Sequence, residues 1–240
     1  MTPVVTDRDL FRRAAETLVA SWEAYARAAP GARLHRLPGA AAAVFPDGPE
    51  RDIYNNVIVK RADALDAVES VYADAGVTRF AVWVHDGDDL MRAAVEARGY
   101  AFDSATRAMA MELSGPGPQP GPIEVAALPW PDYLAMFDLS PALLAGDMSA
   151  FRLLAARVDG ANVAAAMAFD HDGDCGIYNV GTLDAFRRRG LATALTARLL
   201  RDAAARGCTT ASIQATPMAE RVYASIGFRD LGRYLEYVPP

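Results

Sequence analysis

The sequence predicts a mixed α/β protein made of two similar halves. Segments rich in β-branched and aromatic residues alternate with segments whose apolar residues recur at helical spacing. The same order of segments occurs before and after residues 114–122, where the chain reads SGPGPQPGP. Because glycine and proline oppose regular structure, this stretch is expected to be an exposed linker. The predicted division is therefore a domain over 1–113, a linker over 114–122 and a domain over 123–240.

The overall composition indicates a globular protein and argues against other classes. The 240 residues are 52% hydrophobic and 22% charged, which is ordinary for a soluble domain. No stretch has the roughly 18 uninterrupted apolar residues that a membrane helix needs, and the N-terminal segment lacks the apolar core of a signal peptide. Cys175 and Cys208 are too few for a disulfide scaffold. We expect a cytoplasmic protein that does not contact membranes.

The charge balance argues against nucleic acid as a partner. The chain carries 24 basic and 30 acidic residues, a formal net charge of −6, whereas nucleic-acid binding usually requires a positive face. Lys60 is the only lysine, so the many arginines reflect a chain-wide preference. Arginine by itself is therefore no sign of phosphate recognition. Evidence for a phosphate site has to come from the spacing of residues around the arginines.

The two halves align most clearly around a shared Ile-Tyr-Asn triplet. Residues 44–56 align with 168–180, and in the second copy the sequence DHDGD (170–174) predicts a hairpin turn. A helix is predicted next in each copy, from the helical spacing of Leu65, Val68 and Tyr72 in the first and of Leu191, Leu195 and Leu199 in the second. It ends near Gly76 or Gly207. Then come a strand, another helix and a final strand, the last being 106–113 or 232–238. Leu10, Ala14, Leu18 and Trp22 predict an additional N-terminal helix, and Met109 and Met111 are expected on one core face of a strand.

The second half contains a stretch that the first half lacks. From the shared asparagine to the glycine that ends the helix there are 28 residues in the second copy (179 to 207) and 21 in the first (55 to 76). The seven additional residues fall within LDAFRRRGLA (183–192). We interpret FRRRGLATAL (186–195) as a loop entering a helix. Free N–H groups, the helix dipole and small residues favour an anion at such a point, although a solvated helix end has the same pattern. Neither a P-loop nor a dinucleotide-binding motif is present.

In this setting the second half resembles the GNAT superfamily of acetyl-CoA-dependent N-acyltransferases. Arg187-Arg188-Arg189-Gly190-Leu191-Ala192 is similar to the family's Arg/Gln-x-x-Gly-x-Gly/Ala signature after a strand. Residues 223–228 also resemble its Tyr-x-x-x-Gly-Phe ending. The resemblance covers about 123–240. Asp184 departs from the pattern, since proline is common there, and Ala192 replaces a second glycine.

The resemblance implies two tandem GNAT-like domains, each a mostly antiparallel twisted sheet flanked by helices. It implies that the second domain binds acetyl-CoA and moves the acetyl group to a primary amine, with Tyr223 as general acid, and that the first is a degenerate copy. The coenzyme A arm would pair with Val180, Gly181 and Thr182. The pyrophosphate would be held chiefly by backbone N–H groups, in the segment made of Arg187, Arg188, Arg189, Gly190, Leu191, Ala192 and Thr193.

Several points stay open at this stage. Tyr223 is alternatively a core aromatic residue, and no general base is identifiable, with Asp138 and Asp147 as weak candidates. Tyr178 and Asn179 hold a water molecule, orient the substrate or are structural. A non-catalytic acyl-CoA-binding regulatory module and a peptide or protein N-acetyltransferase are the alternative functions. The histidines His35, His85 and His171 lack metal-ligand spacing, so no metal is expected, and the sequence does not distinguish a monomer from a homodimer.

Overall fold

The structure is a computed structural model that describes residues 5–47, 54–113, 123–139 and 146–240. The predicted linker 114–122 and Ile53 of the repeated triplet lie outside the described residues. Contacts divide the chain into two units, the first formed by 1–18, 108–141 and 148–231 and the second by 19–107, 142–147 and 232–240. Each unit therefore includes a strand segment from the opposite half of the sequence.

Along the described residues, runs of one to three strands alternate with single helices. The helices are α1 (Asp7–Ala28), α2 (Leu65–Asp74), α3 (Asp89–Ala97), α4 (Trp130–Met136), α5 (Leu191–Ala205) and α6 (Glu220–Ile226). The strands are β1 (Arg33–Leu37), β2 (Ala40–Val44), β3 (Asn56–Val59), β4 (Ala81–His85), β5 (Ala101–Glu112), β6 (Glu124–Ala127), β7 (Phe151–Val158), β8 (Ala161–His171), β9 (Asp174–Thr182), β10 (Thr210–Ala215) and β11 (Arg229–Val238).

The sequence encodes the start of α1. The Thr6 hydroxyl accepts a hydrogen bond from the Asp9 N–H at 3.2 Å and donates to the Asp9 carboxylate at 2.6 Å. This reciprocal cap satisfies N–H groups that the first helical turn leaves without a partner. The apolar residues predicted to share one helix face, Leu10, Ala14, Leu18 and Trp22, are all buried. The predicted N-terminal helix is confirmed.

The strands form one sheet, which corrects the expectation of a separate sheet in each half. Their hydrogen-bonded order is β1-β2-β3-β4-β11-β5-β10-β9-β8-β7-β6. The cause is the pairing of the final strands: β11, from the end of the sequence, pairs antiparallel with β4, with Tyr234 opposite His85 and Tyr237 opposite Val82. Period-two alternation identifies a strand but does not identify its neighbour. The fold is thus mixed α/β, as predicted, with a single open sheet.

Both halves of the sequence contain the predicted succession of two strands, helix, strand, helix and strand. In the second unit β3 pairs parallel with β4, and in the first β9 pairs parallel with β10. The second unit has a core around Leu65, Val68 and Tyr72 of α2. The first has a core around Leu195 and Leu199 of α5 and Ile177 of β9. The helical spacing of both predicted helices is therefore confirmed.

The hairpin that leads into β9 is the predicted one. Asp172 and Gly173 connect β8 to β9 with φ values of 44° and 76°. Two positive φ values match the right-handed twist of the flanking strands, and Asp-Gly is a favoured pair for such turns. The hairpin fixes β9 against β8 over most of its length. It thereby sets the position of the last residues of β9, where the candidate site lies.

Candidate active site

Strand β9 separates from β10 part of the way along its length. The parallel pairing runs from Asp174 opposite Thr210 to Ile177 opposite Ile213. Beyond that point β9 continues to Thr182, while on its other side Gly181 still pairs with Ala165 and Thr182 with Ala164 of β8. Residues 180–182 therefore form a strand edge on the β10 side of β9. An extended ligand with amide groups is suited to such an edge.

A bulge in β9 marks the point of separation. Asn179 has φ of 50°, and the register with β8 shifts between Ala165 and Met167. A bulge bends its strand and increases the local twist, which explains why β9 leaves β10 here. Val180, Gly181 and Thr182, predicted to contact a coenzyme A arm, are the three residues of β9 that follow it. Their placement remains compatible with that prediction.

A short loop leads from β9 to the start of α5. A 3-10 turn spans Asp184–Phe186, and the chain then enters the helix at Gly190. Arg188 and Gly190 both have positive φ, 60° and 75°. Gly190 is the N-cap of α5, and no side chain caps the helix there. The first N–H groups of α5 therefore point out of the helix with the positive end of its dipole.

The residues at the start of α5 differ in what they can offer a ligand. The Leu191 side chain is buried in the core beneath the helix, so only its backbone N–H is available for binding. Ala192 and Thr193 are half-buried, and Gly190 is exposed. A β-carbon added to Gly190 would have no atom within 4 Å, so its requirement for glycine comes from the positive φ.

The three arginines of the loop have different surroundings. Arg187 forms an ion pair with Asp184 at 2.6 Å, and its Nε donates to the Thr182 carbonyl at 3.3 Å. The Arg189 guanidinium lies 4.9 Å from the centre of the Phe186 ring and donates to the Ala185 carbonyl. The Arg188 side chain has no hydrogen bond or ion pair with the described residues. The Arg187 and Arg189 side chains thus stabilise the loop, whereas the Arg188 side chain is available to bind an anion.

Tyr223 lies on α6 and is buried, with 4% of its surface exposed. It belongs to the same apolar cluster as Leu191, and Val180 packs against that cluster. Its ring meets Phe228 edge to face, with centroids 6.0 Å apart. Burial raises the pKa of the Tyr223 phenol to about 12, so the phenol keeps its proton at neutral pH. The Tyr223 hydroxyl has no hydrogen bond with any residue that the structure describes.

The weaker sequence candidates for a general base are exposed aspartates. Asp138, which follows α4, and Asp147 are both exposed and belong to different units. The half-buried Tyr178 folds its hydroxyl over Gly176, where a side chain would collide with it, so a structural role accounts for its position. Among the described residues, no group of three histidine, cysteine, aspartate or glutamate side chains comes together as a metal site.

Sequence reasoning missed a row of aromatic side chains on α4 and its C-cap residue. Trp130, Tyr133 and Phe137 follow one another at spacings of three and four, and neighbouring ring centroids are 5.2 and 5.0 Å apart. The Tyr133 hydroxyl donates to the carbonyl of Asn179 at the bulge of β9, at 3.4 Å. The spacing alone would have predicted one face of a helix. We call Trp130, Tyr133 and Phe137 the aromatic row.

The comparisons with known proteins indicate a family and a fold. Residues 123–228 match the family model described as the acetyltransferase (GNAT) family. No curated protein matches the sequence. Within the described residues, no helix combines the length and apolar character needed to cross a membrane.

Several solved structures share the fold across nearly the whole chain. A GCN5-related N-acetyltransferase from Kribbella flavida is 17% identical, with 95% of each chain covered and a TM-score of 0.70. Another, from Sphaerobacter thermophilus, is 19% identical, with 91% and 92% covered and a TM-score of 0.58. A tandem GNAT protein from the clavulanic acid biosynthesis pathway is 12% identical, with 94% of each chain covered and a TM-score of 0.59. The protein therefore shares the fold of these N-acetyltransferases, and its residues 123–228 match the GNAT acetyltransferase family.

Proposed function

We propose that the protein transfers an acetyl group from acetyl-CoA to a primary amine, using the site in residues 123–240. The observation that carries the proposal is the edge of β9 beyond Ile177, which leads directly into the Gly190 loop and α5. The matched acetyltransferase domain includes both features. The strand edge suits the amide groups of the pantetheine arm, and the helix start suits the pyrophosphate.

The loop residues support specific roles toward coenzyme A. Backbone N–H groups from Arg188 to Thr193 would bind the pyrophosphate oxygens, and the exposed Arg188 guanidinium would add a charge-assisted hydrogen bond. Arg187 and Arg189 would act through the shape of the loop, because their guanidinium groups already have partners in it. Val180, Gly181 and Thr182 would hydrogen-bond the arm through their backbone.

The chemistry needs a neutral amine and a protonated phenol. The amine nitrogen attacks the thioester carbonyl carbon, a C–N bond forms, and the C–S bond breaks. The proton that the nitrogen loses balances the proton that the thiolate gains, so the products are an amide and free coenzyme A thiol. Because the pKa of Tyr223 is about 12 and that of a thiol about 8.5, complete proton transfer from the phenol would be unfavourable. Tyr223 therefore assists as general acid by hydrogen bonding to the sulfur as its charge develops.

We further propose that the first half of the chain is a degenerate copy of this domain. It repeats the succession of elements, including the parallel strand pair. Its helix α2 begins after the 3-10 turn Ala62–Ala64, and the N-cap Ala64 has ordinary helical φ and ψ. The corresponding position of α5 has Gly190 at positive φ. The tandem GNAT protein of similar fold supports this interpretation.

The function can be tested by separating binding from transfer. Calorimetry should show that the full chain binds acetyl-CoA. A thiol-release assay with acetyl-CoA, run with and without each of a panel of small primary amines and peptides, should show release that depends on the acceptor. The amide product should be identified by mass spectrometry in the same reactions.

Each outcome has a clear meaning. Binding together with amine-dependent thiol release and an amide product supports the proposal. Binding without turnover of any acceptor favours a regulatory acyl-CoA-binding module, and turnover of peptides alone favours a peptide N-acetyltransferase. Failure to bind coenzyme A overturns the proposal.

A further inference from the structure

The aromatic row lies directly on the strand that carries the proposed site. A β-carbon built on Gly181 would lie 2.5 Å from Cε1 and 2.6 Å from Cζ of Phe137. The φ of Gly181 is not positive, so the residue has no backbone requirement for glycine. The absence of a side chain instead allows the Phe137 ring to rest on β9. The Tyr133 hydroxyl fixes the row to the same strand through Asn179.

The row covers the face of β9 opposite to α5. Cys175 and Ile177 belong to the core beneath α5, and Val180 packs against it after the bulge. Successive residues of a strand point to opposite faces, so Gly181 and the Phe137 ring above it lie on the other face. The α5 face is filled by buried leucines such as Leu195 and Leu199. An acceptor that approaches the β9 edge at Gly181 therefore does so beside the row.

The row is only partly buried. Tyr133 is buried in its middle, whereas Trp130 and Phe137 are half-buried. Trp130 stacks on Tyr133 with an interplanar angle of 11°, and Tyr133 and Phe137 are tilted by 58°. Such rings favour offset or edge-on contact with another aromatic ring. The amine itself has to be neutral to react, so the row does not serve to hold a reacting ammonium group.

We propose that the acceptor is a primary amine carried on an aromatic body, and that Phe137 is the residue that selects it. The inference rests on the proposed function, because it places the acceptor at the same strand edge. A ligand ring packs on the exposed part of Phe137, and its amino group reaches the thioester beside β9. Gly181 takes part by allowing the Phe137 ring to lie close to the strand.

The test measures acceptor binding separately from turnover. The 240-residue chain is saturated with coenzyme A, and phenethylamine, ethanolamine and spermidine are titrated by calorimetry. Phenethylamine is expected to bind about tenfold more tightly than ethanolamine, and Phe137→Leu is expected to reduce that preference about fivefold. Phe137→Tyr keeps the ring and is expected to retain the preference. Phe102→Leu is the matched control, because Phe102 is 57% exposed in the second unit.

The inference is overturned by equal binding of phenethylamine and ethanolamine, by tighter binding of spermidine, or by a preference that Phe137→Leu leaves unchanged. Absence of binding by every amine also overturns it. Retention of coenzyme A binding and of the thermal unfolding midpoint shows that the variant is folded. If phenethylamine binds in this way but acetyl-CoA releases no thiol, the proposed transfer fails while the selective site stands. If ethanolamine is acetylated equally well, the transfer stands and the selectivity fails.

Discussion

The Arg187 guanidinium and the Asp184 carboxylate form an ion pair across one turn of the loop, with Nη2 and Oδ1 2.6 Å apart. The pair lies between the end of β9 and the start of α5, beside the proposed pyrophosphate site. Both side chains are exposed, at 52% and 86%, so water screens their attraction. The pair affects ligand binding in two ways. The Asp184 carboxylate places a negative charge in a loop that is proposed to bind another anion. It also pairs with Arg187, which is one of the three arginines of the loop.

We expect Asp184→Asn to tighten acetyl-CoA binding about threefold. The substitution removes the charge that repels a phosphate and releases Arg187 from its partner, and surface charge pairs have effects of about 0.2–1 kcal/mol. Calorimetry at low and at moderate salt measures the change, which should shrink as salt is added. Asp159→Asn, at the exposed turn between β7 and β8, changes the net charge equally and should leave the affinity unchanged.

A double substitution shows whether Asp184→Asn changes acetyl-CoA affinity by releasing Arg187. If Arg187 acts through its release, Asp184→Asn should have little effect in a chain that already carries Arg187→Ala. Weaker binding of acetyl-CoA by the Asp184→Asn single variant would show that the ion pair is needed to shape the loop. That result would contradict the predicted direction.

The glycines at the two ends of α5 allow the effect of backbone strain to be measured separately from the effect of ligand contact. Gly190 and Gly207 have φ of 75° and 98°, and a β-carbon on either would have no atom within 4 Å. Alanine at each position is expected to lower the free energy of unfolding by about 1 kcal/mol, since left-handed backbone costs a residue with a β-carbon about that much. Urea unfolding measures this change.

Only the Gly190 variant should also bind acetyl-CoA more weakly, by about tenfold or more. Its β-carbon would occupy the space where a phosphate approaches the first N–H groups of α5. Gly207→Ala has the same backbone cost at the far end of the helix and therefore serves as the control. Equal affinities for the two variants would argue against a phosphate at the helix start.

Local sequence signals predicted local structure well. The spacing of Leu191, Leu195 and Leu199 predicted a helix, and the Asp-Gly pair at 172–173 predicted the turn before β9. The exchange of final strands was not predictable, because the alternation in β11 does not show that Tyr234 pairs beside His85 of β4. The aromatic row was missed for a similar reason. Its spacing is visible in the sequence, but its contact with Gly181 joins segments more than 40 residues apart.

A buried carboxylate at the start of β9 gives a prediction about stability and pH. Asp174 is 1% exposed, and its two carboxylate oxygens accept hydrogen bonds from Thr210 and Ser212 at 2.7 Å each. Burial raises its pKa, although the two hydroxyl groups oppose the shift. A raised pKa means that the folded protein holds this proton more tightly than the unfolded chain. The associated stability is present below the unfolded pKa of about 3.9 and is lost as the pH rises through the folded pKa.

We expect Asp174→Asn to remove this part of the pH dependence. Each unit by which the pKa is raised corresponds to about 1.4 kcal/mol at neutral pH. Urea unfolding of the variant and of the unsubstituted protein at a series of pH values gives the difference between their free energies of unfolding. That difference should change as the pH rises above about 4 and become constant at higher pH. Asp159→Asn, which alters an exposed carboxylate, should give no such change, and a flat difference for Asp174→Asn would contradict the prediction.

Tyr223→Phe tests the role of the phenol in transfer. The substitution removes only the hydroxyl, and we expect kcat to fall about 100-fold, the lower range for loss of a positioned acid, while the Kd for acetyl-CoA stays within about twofold. Since the pKa of Tyr223 is about 12, the unsubstituted protein should show no loss of rate from phenol ionisation below about pH 11.

Tyr72→Phe is the control: the buried Tyr72 hydroxyl donates to the Ala43 carbonyl at 3.0 Å. That control should lower the free energy of unfolding by about 1 kcal/mol without changing kcat. If Tyr223→Phe keeps full turnover at every pH, Tyr223 is a core aromatic residue and the developing thiolate has another source of stabilisation.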